Sequence, residues 1–262
     1  MSMGNKKQNL FIILGAIFLT NAILAELIGV KIFSLEETLG WEPANLDIFG
    51  YTLDFNLTAG VMIWPVVFIT TDIINEYFGK AGVRKISFIA VGCIMYAFLM
   101  IWLVTKLSPA AFWLEVNNMD PEGKPFNVDF AFNKIYTQGL GIIIGSIIAF
   151  LIGQILDVIV FQRLRRITGE KMIWLRATGS TLISQLIDSF VVLAIAFYIL
   201  APANSRWEFS QVISVGSLNY IYKFIVAISL TPLIYLGHYL IDRYLGKEEA
   251  ERIKEEASQS SF

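Results

Sequence analysis

Six apolar stretches divide the chain, at roughly 10–30, 57–78, 86–104, 140–161, 174–200 and 212–240. None alternates strictly between apolar and polar positions, so the signature of a half-buried strand is absent. At about 1.5 Å per residue each can cross a hydrocarbon layer about 30 Å thick. Only helices and closed barrels satisfy every backbone group in lipid. The pattern therefore predicts an all-α, polytopic membrane protein with six transmembrane helices. Lys6 and Lys7 precede the first run as they would in a secretory signal, but the run is too long for a signal's apolar core and reads as a retained helix. Pro65 and Pro232 are expected to kink the second and sixth runs.

Composition narrows the class. Of 262 residues, 56% are apolar and 16% charged, against about 45–50% and 25% in an average soluble domain. That excludes a disordered chain, a nucleic-acid binder and an ordinary soluble enzyme. Cys93 and His238 are the single cysteine and histidine, so neither an intrachain disulfide nor a zinc site is expected, and no cofactor is implied.

The net charge of −2 conceals an asymmetry. Lys6 and Lys7, then Lys80, Arg84 and Lys85, then Arg163, Arg165, Arg166, Lys171 and Arg176, then Arg243, Lys247, Arg252 and Lys254 all fall at one end of the predicted spans. Short basic loops stay in the cytoplasm, so both termini are predicted cytoplasmic. The acidic segment holding Glu36, Glu37, Glu42, Asp47 and Asp54 is placed outside. The longest loop, 106–138, offers Phe112, Trp113 and Phe126 to the interface. Residues 1–245 read as one transmembrane domain, and 246–262 as a polar, helix-prone cytoplasmic tail expected to fray.

Charges inside apolar runs carry the functional signal, because each costs about 2.5–3.5 kcal/mol at a helix centre on insertion scales. Asp188 and Lys223 are placed mid-bilayer. Thr181, Ser184, Gln185 and Asp188 form one polar stripe, and Asn219 and Lys223 another, by helical spacing. A plain Asp188–Lys223 salt bridge explains the charges, and a polar cavity also explains the flanking donors and acceptors. Asn21 and Glu26 add polar groups on the first helix, about 140° apart. Toward the basic end, Asp72, Asn75 and Glu76 share one face, with Arg84, Asp157 and Arg176 at the same level. These read as an ion-pair network closing the helix ends, or as a gate. Gly141, Gly145, Ala149 and Gly153 recur every four residues, which suits close helix packing or a homodimer seam. The sequence around 151–157 is echoed at 182–188, a weak hint of an internal repeat.

The run 68–79, with Thr70, Thr71, Asp72, Asn75, Glu76 and Gly79, followed by Arg84, resembles a signature of the queuosine-precursor transporters, within the vitamin uptake transporter group. Trp174, Leu175, Arg176, Ser180, Thr181, Gln185 and Asp188 resemble a second signature, and Asn21, Lys31 and Asp157 also fit. The likeness runs from about Asn9 to Leu245; the stretch 117–124 departs from it. It implies a multi-pass inner-membrane importer of 7-cyano-7-deazaguanine and its aminomethyl derivative for tRNA queuosine salvage. Binding near the midplane and alternating access are expected, with Asn21, Glu26, Thr181, Ser184, Gln185, Asp188, Asn219 and Lys223 as candidate substrate contacts. The rival reading is a substrate-binding membrane subunit energised by a separate ATPase, since the chain has no phosphate-binding loop. An intramembrane enzyme is disfavoured by the absence of H-E-x-x-H and G-x-S-x-G patterns.

Overall fold

A computed structural model describes residues 3–137, 140–168, 172–201 and 203–259. Lys171, the side-chain surroundings of Gly141, the loop's end at Gln138 and the last three residues of the tail lie outside the described residues. Among the described residues, five helices are long and apolar enough to cross a membrane. They belong to α1 (Met3–Ile28), α3 (Trp64–Val104), α6 (Leu140–Thr168), α7 (Ile173–Leu193, continued as a π-helix over Ala194–Ile199) and α8 (Phe209–Leu245). Short helices α2 (Leu35–Leu39), α4 (Ala111–Val116) and α5 (Val128–Thr137) lie in the connections, and α9 (Lys247–Gln259) follows α8.

The six apolar runs become five helices because the second and third share α3. At 41 residues a straight α3 would reach about 60 Å, twice the thickness of a bilayer core. It is not straight. Gly79 breaks it at φ 63°, ψ −170°, a conformation essentially reserved for glycine. Contacts with α1 show the chain reversing there. Before the break, Gly60 lies against Ala25, and the Phe78 ring is 4.9 Å from that of Phe11. After it, Gly82 returns to Phe11 and Ile86 packs on Gly15. Gln154 of α6 touches both arms: its amide nitrogen donates to Thr71 Oγ1 and its carbonyl accepts from Ser87, each at 3.4 Å. The arms 64–78 and 80–104 thus form an antiparallel hairpin.

Pro65 does not kink a span. It occupies the first turn of α3, where its missing N–H has no helical partner to lose. The residues before it, predicted helical from 57, form a strand and a 3-10 turn (Ala59–Met62) instead. Pro232 does lie inside α8.

Between α1 and α3 the chain builds a small cap. Strand β1 (Ile32–Ser34) pairs antiparallel with β4 (Asn56–Thr58), and β2 (Leu46–Ile48) with β3 (Tyr51–Leu53). The β2–β3 turn carries positive φ at both Phe49 and Gly50, matching the right-handed twist of a two-residue hairpin. Glu36 stitches the cap together, accepting from Phe55 N–H at 2.8 Å. Tyr51 ties it to the start of α8, its hydroxyl 3.2 Å from Glu208 Oε2 and 3.0 Å from Ser210 Oγ.

The core is a seam of Leu14, Phe18, Ile74, Tyr77, Ile86 and their neighbours between α1 and both arms of α3. Outward faces are apolar as well: Ile12, Phe88, Tyr96 and Tyr239 are among many exposed large side chains. Such a surface suits lipid rather than water. Phe112 and Phe126 are exposed in the long connection.

The tail packs rather than frays. Ala250, Ile253 and Ala257 of α9 are buried, the first two completely. Lys7 Nζ reaches Glu256 at 2.8 Å, Lys254 Nζ reaches Asp242 at 2.9 Å, and Arg165 donates to the Lys254 carbonyl at 2.7 Å. The polar pattern of 246–262 hid an apolar stripe at 250, 253 and 257, one helical face by spacing.

Candidate functional site

A cavity of about 430 Å³ lies among α1, the 3-10 turn, α3, α6, α7 and α8, within the range of small-molecule sites. Five of the eight predicted contacts line it: Glu26, Gln185, Asp188, Asn219 and Lys223. Trp64, Phe68, Phe150 and Phe197 supply aromatic wall. Trp64 stacks on Phe68 with ring centroids 5.7 Å apart, and lies as far from Phe150. The Asp188–Lys223 ion pair forms at 2.5 Å with about a fifth of each side chain still accessible. Salt bridge and cavity are therefore not alternatives; the pair is part of the cavity wall. Glu26 interacts electrostatically with Asp188 and accepts a hydrogen bond from Ser146.

The remaining predicted contacts lie elsewhere. Asn21 is turned back on α1, donating to the Ile17 carbonyl at 2.8 Å, because it sits on a different helix face from Glu26. Ser184 is buried and donates to the Thr181 carbonyl at 3.0 Å. Thr181 lines a smaller adjoining cavity of about 50 Å³, together with Asp72, Gln185, Tyr222 and Lys223. Gln185 and Lys223 face both spaces.

The basic-end cluster separates into two parts. Glu76 pairs with Arg176 at 2.5 Å and lies 3.7 Å from Arg165, all three almost fully buried. The Arg176 guanidinium also covers the Phe161 ring, 5.9 Å from its centroid. Asn75 accepts from Gln162 at 2.8 Å. Asp72 and Asp157 do not join this network. They interact electrostatically with each other, and Asp157 faces Ser180, Thr181 and Ser184 across the α6–α7 contact. Arg84 is exposed, with no ion-pair partner among the described residues.

The small-residue stripe is spent inside the chain. Gly145 faces the Val192 carbonyl, where an added methyl would sit 3.0 Å away. Ala149 is fully buried, and Gly153 lines the large cavity. Neither these contacts nor the comparisons below support a homodimer seam.

Several participants carried no readable signal. Ser146 is a lone polar residue in apolar helix, Gln154 is marked only by the echo of 151–157 at 182–188, and Gln162 looks like part of the basic helix end; their roles emerge once Glu26, Thr71 and Asn75 are known to face them. The aromatic wall is indistinguishable from lipid-facing aromatics in sequence. The π-helix at 194–199, which brings Phe197 to the cavity rim, has no pattern of its own; its stacking on Trp207, centroids 4.2 Å apart, comes from across the next connection.

The helices, their apolar exterior and the cavity with its charged groups among aromatic side chains define a multi-pass membrane transport protein. Residues 58–237 match a family model described as "Putative vitamin uptake transporter", and the chain belongs to the vitamin uptake transporter family. It is 29% identical over 76% of its length to a "Probable queuosine precursor transporter" of Bacillus subtilis, covering 80% of that protein. It is 30% identical over 67% of its length to a protein of the same description from Haemophilus influenzae, covering 66% of it. A "Queuosine precursor transporter" of Escherichia coli is 27% identical over 77% of this chain and 82% of its own. No solved structure matches. These relatives are transporters, not enzymes.

Proposed function

We propose that the chain imports queuosine precursors, 7-cyano-7-deazaguanine and 7-aminomethyl-7-deazaguanine, across the inner membrane. The supporting observation is the cavity of about 430 Å³ where Glu26, Asp188, Lys223 and Gln185 meet Trp64, Phe68 and Phe150, in a chain whose relatives carry that name. A guanine-like edge presents paired N–H donors for which a carboxylate is the matching acceptor. Glutamine and asparagine amides suit its carbonyl and ring nitrogen, and the aromatic rings suit its faces. An aminomethyl cation would compete with Lys223 for Asp188. Asp188, Gln185, Glu26, Lys223 and Asn219 are therefore assigned to substrate, with Thr181 in the smaller adjoining cavity.

The reversal at Gly79 favours six crossings, which return both termini to one face, and the basic residues place that face in the cytoplasm. Residues 1–245 make the transport domain, and α9 lies on its cytoplasmic end. The arm 64–78 is only about 22 Å long. It is preceded by a strand and a 3-10 turn, whose Thr58 and Gly60 line the cavity. Broken helices beside a binding site suit alternating access, with the Glu76–Arg176 pair closing the cytoplasmic side.

The test is uptake of labelled precursor by cells unable to make it, and by liposomes containing the purified chain alone. Uptake in both is expected, with severe loss in Asp188→Asn and Gln185→Ala. Wild-type uptake by both variants would remove this site. Uptake that requires a partner ATPase would overturn the self-sufficient importer.

A further inference from the structure

Asp72 and Asp157 are each 3% exposed and interact electrostatically across the contact of α3 with α6. Asp72 Oδ1 and Gln185 Oε1, both buried, have no donor among the described residues, and the buried Asp157 carboxylate meets the hydroxyls of Ser180, Thr181 and Ser184. Two of these hydroxyls also reach backbone carbonyls. Ser180 donates to the Ala177 carbonyl and Ser184 to the Thr181 carbonyl. Thr181 also turns toward Asp72, reaching its Oδ2 at 3.3 Å. Gln185, itself 3% exposed, shares the smaller cavity with Asp72.

The charged groups around the pair are accounted for. Glu76, one turn below Asp72, adds a further negative charge and is bound by Arg176 and Arg165. Lys223 of α8 lines the smaller cavity with Asp72, but its ammonium is held by Asp188 at 2.5 Å. The α7 groups facing Asp157 are hydroxyls. Tyr222, the other ionisable group on this cavity, is a neutral phenol. Two carboxylates in mutual electrostatic contact, out of water and with no ion-pair partner among the described residues, are strongly disfavoured as a doubly charged pair. A proton between them supplies the donor the site lacks.

We infer that Asp72 and Asp157 form a proton-binding site that couples substrate import to inward proton movement. This rests on the importer reading and extends it. A proton reaches Asp72 through the adjoining cavities when they face outside, and Asp157 shares it. It is carried as the protein closes, and is released on the cytoplasmic side when water reaches the pair. Intramembrane carboxylates facing a cavity are the usual carriers in such relays.

The test uses the purified full chain in liposomes, with membrane potential clamped and 7-cyano-7-deazaguanine as probe. A gradient of one pH unit, acid outside, should raise steady accumulation up to about tenfold at one proton per substrate. Substrate addition should alkalinise the outer medium, as read by an impermeant pH dye. Asp72→Asn and Asp157→Asn should lose gradient-driven accumulation while keeping exchange of labelled for unlabelled substrate at equal pH. Wild-type exchange with no response to the gradient and no alkalinisation would overturn the proposal and leave the importer standing. So would accumulation that follows a sodium gradient at clamped pH. Absence of exchange by the wild type would instead sink the importer reading. The dye measurement needs no variant, so misfolding of either substitution leaves the proposal testable.

Discussion

Replacing Arg176 by methionine probes the closure at the basic end. Arg176 and Glu76 are 1% and 3% accessible at their side chains and meet at 2.5 Å. Removing one partner of a buried pair typically costs about 3–5 kcal/mol, because the other charge is left in a dry site. Here Arg165 stays 3.7 Å from the same carboxylate oxygen, so the expected cost is at the lower end, about 3 kcal/mol. That is about a hundredfold in the folded-to-unfolded ratio. Methionine keeps the contact with Phe161 and so separates charge from packing. Adding Glu76→Gln should then recover about 1–2 kcal/mol, since the stranded charge is gone. The assay is equilibrium unfolding in mixed micelles by titration with a denaturing detergent, followed by tryptophan fluorescence and run as a double-mutant cycle. A cost for Arg176→Met below about 1 kcal/mol, the value of an exposed pair, would refute the argument. So would a double variant less stable than Arg176→Met alone.

Three further outcomes follow from other parts of the fold. Gly79→Ala should destabilise by about 1–3 kcal/mol in the same titration, because φ 63° with ψ −170° is open only to glycine; an unchanged midpoint would mean that the hairpin does not turn there. Gly145→Leu should separate α6 from α7 and abolish uptake with the protein still in the membrane, since even a methyl would sit 3.0 Å from the Val192 carbonyl; retained uptake would refute the close approach. Burial pushes the Glu36 carboxyl up, but N–H groups of Phe55, Glu36 and Ala44 and the Ser34 hydroxyl outweigh it and hold it below the usual range. Its contribution to the cap is therefore full above pH about 4.3 and is lost as pH falls through the lowered value. Hydrogen exchange in 45–56, corrected for intrinsic rate, should rise in acid for the wild type, and a Glu36→Gln variant should lack that response.

Helix content and the candidate cavity were legible in the chain because lipid leaves few alternatives. A long apolar run must be a helix, and a charge inside it must face inward. That logic brought Glu26, Gln185, Asp188, Asn219 and Lys223 to one space. It failed where depth or rotation decides. Asn21 and Glu26 share a helix about 140° apart, so helical spacing already allowed them different surroundings, but which of the two meets the cavity needed the structure. Asp72, Asp157 and Glu76 looked alike in sequence, but it is Glu76 that the guanidinium groups of Arg165 and Arg176 approach as ion pairs. The cap's strands, three residues each, are too short for any periodicity to register. Gly79 could be read as the end of a helix; that it reverses the chain needed the contacts of both arms with Phe11, Gly15 and Gln154.

The bond between Lys7 and Glu256 makes the first and last helices neighbours, and Tyr77, two residues before the reversal, lies beneath Lys254 of the same closing helix. Chain ends and hairpin tip therefore share one face. Such an arrangement lends itself to circular permutation. A short polar linker could join the termini, and new ends could be opened between Gly79 and the exposed Lys80. The rearranged polypeptide would keep all its loops on their original sides of the membrane, and it would no longer need a glycine at its tightest turn.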